Sequence, residues 1–337
     1  MSTMTNLRVP DGPAVWKAAD LATDRSWEIE LDAAQRAAIV SAARVAAASG
    51  ATTSSIHTAA FPLPSMQSEI GAWSSALEAG RGFLLVRGFP VDELDEHEIE
   101  LAYVGLGSHL GTPVGQNKQG ELLTHVRDER LPAGSGKVRL YRTRERQDFH
   151  TDGADIIGLL CLHTAMRGGE SKLASSWSLL NGLLDIDPRL VDALRQPMGW
   201  DRQGDVPAGE SPWFTLAPLS EVGGLPRLFY LGWYIRDSQQ HPDAPRLTDL
   251  QLEAMDTLER LANQPEFHVE MEFRPGDVQF LNNGRILHAR EAYDDHDDPG
   301  ERRHLLRLWL AAHRFASVDE GLRRGVVPAA RTGHGRT

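Results

Sequence analysis

Residues 267–288 read Phe-His-Val-Glu-Met-Glu-Phe-Arg-Pro-Gly-Asp-Val-Gln-Phe-Leu-Asn-Asn-Gly-Arg-Ile-Leu-His. Two short runs, FHVEMEF (267–273) and DVQFLNN (277–283), flank a Pro275-Gly276 turn, and His288 follows the second. Runs of this length, rich in apolar and aromatic residues and bounded by Gly, Pro, Asp or Asn, predict strands. The pattern holds from about residue 137 onward. KVRLYRT (137–143), DIIGLLCLHTA (155–165), KLASSWSLL (172–180), RLFYLGWYI (227–235) and HLLRLWLAAHR (304–314) all read as strands. Two helical stretches interrupt them, DPRLVDALRQP (187–197) and the amphipathic DLQLEAMDTLERLANQ (249–264). Many short strands with few helices predict a mixed α+β chain. Its core is expected to be a double-sheet jelly roll or barrel, with flanking N-terminal and inserted helices.

The region before this is mixed. Asp32 and Gln35 form a capping-box pair that opens an Ala-rich helix over about 33–48, closed by Gly50. A second helix over 65–79 stops at Gly80, and GFLLVRGFPV (82–91) suits a buried strand. Asp95 caps a third helix over 96–109, which ends at the Gly111-Thr-Pro113 breaker. This part, about 30–112, has nothing to bury against except the sheet. A single domain over 1–337 is therefore expected, with 30–112 packed on a jelly-roll core of about 113–316 and loose termini.

The 337 residues carry 35 Lys and Arg against 47 Asp and Glu, a net charge of −12. Phosphate binding needs a basic stripe, so nucleic-acid recognition is excluded. The one cysteine, Cys161, rules out a disulfide framework and a zinc site built on several thiolates. It reads as a buried small hydrophobe. No run approaches the length of an apolar membrane span, and the N-terminus lacks a basic segment followed by an apolar one. A cytoplasmic protein with no membrane partner is expected.

Four features can carry chemistry. In Phe149-His150-Thr151-Asp152, an extended backbone points His150 and Asp152 to the same side. His288 ends the strand after the Pro275-Gly276 turn, and two histidines with one carboxylate can hold divalent iron on one face. Arg303 and Arg307, four apart in Arg302-Arg303-His-Leu-Leu-Arg307, share a strand face with Leu305 and Trp309. Arginines on such an apolar face need an anionic partner. Gly168-Gly169-Glu170-Ser171 places a hydroxyl that could assist the same anion, or is a plain Gly-rich turn. Taken singly, each has a bland alternative: a surface turn, a core histidine, solvated arginines. Gln116 and Asn117, amides beside a breaker, are the favoured substrate-lining residues in Gln116-Asn117-Lys118. Trp213-Phe214 and the aromatics of 229–234 are weaker candidates, since aromatics at alternating strand positions are usually core.

In order and spacing, these features resemble the TauD/TfdA family of Fe(II)/2-oxoglutarate-dependent dioxygenases, which includes the clavaminate synthase-like enzymes. The matching pieces are GFLLVRGFPV, LGSHLGTPV (106–114), FHTD, GGES, PGDVQF with the following Asn and His288, and RRHLLR, from about 80 to 312. The resemblance implies that His150, Asp152 and His288 bind Fe(II) as the catalytic centre. Arg303 is then expected to hold the distal carboxylate of 2-oxoglutarate, with Ser171 where the family usually has threonine. Arg307 matches a position that in some members meets an acidic group on the prime substrate. The His288–Arg303 loop is longer than in TauD itself, so Arg307 stays the alternative anchor.

The implied reaction turns 2-oxoglutarate and O2 into succinate and CO2 while oxidising, most simply hydroxylating, a small carboxylate-bearing molecule. The carboxylate at 152 argues against halogenation. Family members are often dimers or tetramers, and a homo-oligomer is left open. Two other readings stand beside this one: a cupin-like metal-dependent hydrolase or isomerase, and a non-catalytic metal-binding protein. An Arg303/Ser171 anchor argues against the first, and retention of all three ligands against the second.

Overall fold

In the strand Phe83–Arg87, Phe83 and Leu85 are buried toward one side and Leu84 and Val86 toward the other. Successive side chains of a strand alternate faces, so a run apolar at every position must be covered on both. The computed structural model describes residues 7–117, 119–130, 140–206 and 209–315. Lys118, residues 137–139 of the expected KVRLYRT strand and the C-terminal stretch from 316 lie outside them.

Phe83–Arg87 belongs to a seven-stranded sheet ordered Glu28–Glu30, Phe83–Arg87, Val278–Asn282, Ile156–His163, His304–Ala312 and Gly111–Pro113, with Leu123–Val126 also paired to His304–Ala312. A four-stranded sheet, ordered His268–Met271, Ser171–Ser175, Ile286–Arg290 and Gln147–His150, faces it. Phe83, Leu85, Ile157, Leu281 and Trp309 of the larger sheet meet Leu173, Met271 and Ile286 of the smaller one. This is the double-sheet core of a jelly roll.

Helices cover both outer faces. Ala33–Ala48, Gln67–Glu78 and Glu96–Ser108 bury Ile39, Trp73 and Leu101 with Leu84, Phe280 and Leu308 of the larger sheet. Ser176–Ile186, Pro188–Leu194 and Asp249–Ala262 pack with Phe149, Ala174 and Leu287 of the smaller one. Asp32 forms the capping box that the sequence indicates, and Asp95 caps its helix, through a box with Glu98.

Two expected strands are only partly so, and the described part of a third is not strand. KLASSWSLL is a strand to Ser175 and a helix from Ser176, because the Ser175 hydroxyl accepts the Ser178 N–H as an N-cap (3.1 Å). RLFYLGWYI extends only to Leu228, and Gly232–Asp237 is helical. Leu140–Arg142 of KVRLYRT is a 3-10 turn, closed where the Thr143 N–H and hydroxyl donate to the Leu140 carbonyl (3.1 and 2.9 Å). Among the described residues, no helix is long and apolar enough to cross a membrane.

Candidate active site

The smaller sheet makes the first half of the site through its register. Antiparallel pairing sets His288 opposite His150, and the ring centroids are 4.2 Å apart. Asp152 lies just past the end of the His150 strand, on a loop fixed by Asn283. The Asp152 N–H donates to Asn283 Oδ1 (2.9 Å), and Asn283 Nδ2 donates to the carbonyls of Asp152 and Ala154. One ligand atom from each of His150, Asp152 and His288 falls within 4.8 Å of the others, and all three residues are buried.

Their protonation suits a cation. His150 Nδ1 donates to the Asp148 carbonyl (2.8 Å), which leaves Nε2 as the acceptor, here facing the Gln147 carboxamide nitrogen at 3.0 Å. An outer hydrogen bond of this kind fixes the tautomer of a metal-binding histidine. His288 Nδ1 is buried with no hydrogen-bond partner among the described residues. Burial lowers both imidazoles, and with His150 and Arg307 nearby His288 is pushed down to about 3. Burial alone would raise the Asp152 carboxyl. Arg307, His288, His150 and the Trp309 indole outweigh it and hold the group below the usual carboxylate range. Two neutral imidazoles and one carboxylate are the states in which these groups bind a divalent metal. The donor set fits iron.

The long strand His304–Ala312 supplies the other half. Arg307 Nη1 donates to both Asp152 oxygens (3.1 and 3.3 Å), and Trp309 Nε1 donates to Oδ2 (3.2 Å). Gln116 holds Arg307 in turn. Its Oε1 accepts from Arg307 Nε (2.8 Å), and its Nε2 donates to the carbonyls of Arg307 and Leu122 (2.8 and 2.9 Å). The Arg307 guanidinium lies 4.9 Å from the ring centroids of both Tyr141 and Trp309.

Between the two sheets is a cavity of about 40 Å³ whose lining includes His150, His288, Ser171, Arg303 and Arg307. A larger cavity of about 560 Å³, beside Trp177 and Arg227, has none of these residues in its wall and lies away from the ligand cluster. Arg303 is 4% exposed; among the described residues its Nη1 has no hydrogen-bond partner, and its Nη2 reaches the Gly169 carbonyl at 3.5 Å. Gly168 and Gly169 both have φ of +78°, and a Cβ on Gly169 would stand 2.9 Å from Arg303 Nε. The glycine pair therefore turns the chain left-handed and lets the arginine pass. Ser171 is buried in the wall with its hydroxyl 3.1 Å from Gln279 Nε2.

Seven of the eight residues singled out in the sequence thus converge: His150, Asp152, His288, Ser171, Arg303 and Arg307 around the centre, and Gln116 behind Arg307. Asn117 does not join them. Its side-chain oxygen accepts the N–H groups of Gln119 and Glu121 in a turn (3.1 and 3.2 Å). Trp233 meets His150 edge-on at 5.2 Å, whereas Phe214 stacks on Trp200 away from the ligands. Sequence reading missed Gln147, Tyr141, Tyr293 and Arg290. The two-residue spacing that singled out His150 and Asp152 applies equally to His288 and Arg290. Cys161 is fully buried, and burial pushes its thiol up to about 12.

Residues 48–309 match the family described as "Taurine catabolism dioxygenase TauD, TfdA family". The chain belongs to this family. A similar relative is "FR-33289 synthase" of Streptomyces rubellomurinus, 32% identical over 96% of this chain and 97% of the relative. The fold is shared with asparagine oxygenase solved with Fe(II), 3-hydroxyasparagine and succinate (TM-score 0.65, 19% identity, 84% of this chain and 93% of that one). It is shared also with the non-haem iron oxygenase OrfP solved with Fe and α-ketoglutaric acid (TM-score 0.62, 17% identity, 84% and 93%). As a member of the TauD/TfdA family, this chain is a non-haem Fe(II)/2-oxoglutarate-dependent dioxygenase, with iron as cofactor and 2-oxoglutarate as co-substrate.

Proposed function

We propose that this dioxygenase hydroxylates a small molecule bearing an acidic group, with 2-oxoglutarate and O2 converted to succinate and CO2. The observation that carries the reading is the convergence of His150, Asp152 and His288 beside a buried arginine with an unpaired nitrogen. His150, Asp152 and His288 hold the iron. Arg303, with Ser171 in the same wall, takes the distal carboxylate of 2-oxoglutarate.

Iron with bound 2-oxoglutarate supplies the oxidising power when present. The chain supplies position and dryness. Asp152 is kept ionised and correctly turned by Arg307 and Trp309, and Gln116 fixes Arg307. The apolar wall of Val126, Leu159, Phe273 and Leu305 excludes water. Arg307 also lines the cavity, so an acid group on the substrate would meet a guanidinium already oriented by Asp152. That the solved asparagine oxygenase carries a hydroxylated amino acid supports an acid-bearing substrate of this size.

The partners are accordingly small molecules and O2, with no nucleic acid. One domain does the work, since the helices of 33–108 bury the outer face of the sheet that carries Arg307.

The test is aerobic incubation with Fe(II), 2-oxoglutarate and a panel of amino acids and other small acids. Hydroxylation gives succinate matched one-for-one by a product with one added oxygen atom. A product formed without consumption of 2-oxoglutarate would instead support a metal-dependent hydrolase or isomerase.

A further inference from the structure

Arg290 ends the strand Ile286–Arg290, two residues beyond His288 and so on the same side of the sheet. It is 7% exposed and lines the cavity that holds His288, Ser171 and Arg303. Its register partner on the neighbouring strand is Ser171. Nη2 donates to the carbonyls of Glu145 and Leu140. Nε and Nη1 have no hydrogen-bond partner among the described residues. The Tyr293 ring lies beside both Arg290 and Arg303, with its centroid 5.2 Å from one guanidinium carbon and 5.0 Å from the other.

Two buried guanidiniums therefore flank one ring at one end of the cavity, and three of their nitrogens are unpaired. None of the described residues lining that cavity is acidic. Among the described residues each guanidinium reaches only backbone carbonyls through one nitrogen, and buried cations with donors left over are costly, so an anionic ligand would complete this end. Arg303 alone can present one fork to a carboxylate. Arg290 adds donors opposite Ser171, on the strand that also carries His288.

We infer that Arg290 is a second guanidinium for the distal carboxylate of 2-oxoglutarate, and that it ties this carboxylate to the turn at 140–145. The inference rests on the assignment of this end to the co-substrate. Co-substrate binding then steadies the Leu140 and Glu145 carbonyls through the same side chain. Tyr141, carried on that turn, is the residue whose ring lies over Arg307. A link therefore runs from the co-substrate carboxylate to the guanidinium that holds Asp152.

The experiment compares 2-oxoglutarate with 2-oxopentanoate, which has the same chain length and a methyl group in place of the distal carboxylate. Each is titrated into anaerobic Fe(II)-loaded protein, and the visible charge-transfer band of the chelate is followed. Arg290→Ala is expected to weaken 2-oxoglutarate by about tenfold or more, the size of a lost charged hydrogen bond. Its effect on 2-oxopentanoate is expected to stay within about twofold on the same grounds. Equal weakening of both acids, or of neither, overturns the inference.

Arg303→Ala run alongside separates the two readings. If it discriminates between the acids and Arg290→Ala does not, only the role of Arg290 fails. If neither does, the co-substrate assignment fails with it. Should Arg290→Ala not fold, wild type alone still decides. Exchange of the Thr143 amide, bonded to the Leu140 carbonyl, is expected to slow with 2-oxoglutarate and not with 2-oxopentanoate. Equal exchange under both ligands contradicts the link.

Discussion

The two ends of the cavity differ in how far the protein closes its own hydrogen bonds. Around Asp152, both carboxylate oxygens are engaged by Arg307 and Trp309, the backbone is held by Asn283, and Arg307 is held by Gln116. Around Tyr293, Arg303 Nη1 and Arg290 Nε and Nη1 have no hydrogen-bond partner among the described residues. The first end is built before any ligand arrives. The second has cations in place and, on the proposed function, takes its anion from outside. A metal ligand must be aimed within narrow limits, which rigid support provides, whereas an anion-binding arginine must keep free donors.

The comparison breaks most sharply if the metal end tolerates the loss of a ligand. His288→Ala is expected to lower Fe(II) affinity by more than about 100-fold, beyond the range seen for outer supporting residues. Equilibrium dialysis of Fe(II) without 2-oxoglutarate measures it, and near-wild-type binding would remove His288 from the centre. Next come the supports. Arg307→Met and Asn283→Ala should each lower Fe(II) affinity by about 10- to 100-fold while far-UV circular dichroism is retained. Unchanged affinity in both would mean that the network around Asp152 does not position it.

Gly169→Ala probes the open end. A left-handed alanine costs about 1–2 kcal/mol, and its Cβ crowds Arg303 Nε. A lower melting temperature with weakened 2-oxoglutarate binding and intact Fe(II) binding is expected. Equal loss of both ligands would show that the two ends are not separable.

The smallest effect lies outside the cavity, on the back of the same long strand. His304 Nε2 lies 2.8 Å from His125 Nδ1, and burial, with His125, Arg127 and His163 adding to it, pushes His304 down to about 4. An unfolded histidine titrates near 6.5, so the unfolded chain takes up this proton first as pH falls. The stability tied to neutral His304 is present above about pH 6.5 and lost as pH drops toward 4. His304→Asn should make the melting temperature fall less over that interval, by on the order of 2 °C. An unaltered pH profile would contradict the burial-driven shift.

Much of this was legible in the sequence because its signals are local. Pro275-Gly276 makes a turn whatever surrounds it, and Asp32 and Asp95 cap helices through residues three positions away. The spacing of His150 and Asp152 needs only an extended backbone. What escaped depends on tertiary partners. KLASSWSLL looks like a strand throughout, yet Ser175 starts a helix that finds its cover in Asp249–Ala262. Gln116 reads as a lining amide, but its partner Arg307 is brought to it by the long strand His304–Ala312, far away in sequence. Arg290 carried the same two-residue spacing as His150 and Asp152. Nothing local says that its carbonyl partners would occupy only one of its nitrogens.

The most direct test of a site with a prebuilt metal end and an anion-requiring co-substrate end is anaerobic titration of Fe(II)-loaded protein with 2-oxoglutarate, in wild type and in Arg303→Ala. The expected result is a charge-transfer band in wild type, and a band in the variant that needs about 30-fold more 2-oxoglutarate or beyond, as for truncation of one partner of a buried charge pair. Fe(II) affinity should be the same in both. Bound metal with no band in wild type, or identical titrations of the two proteins, would contradict it.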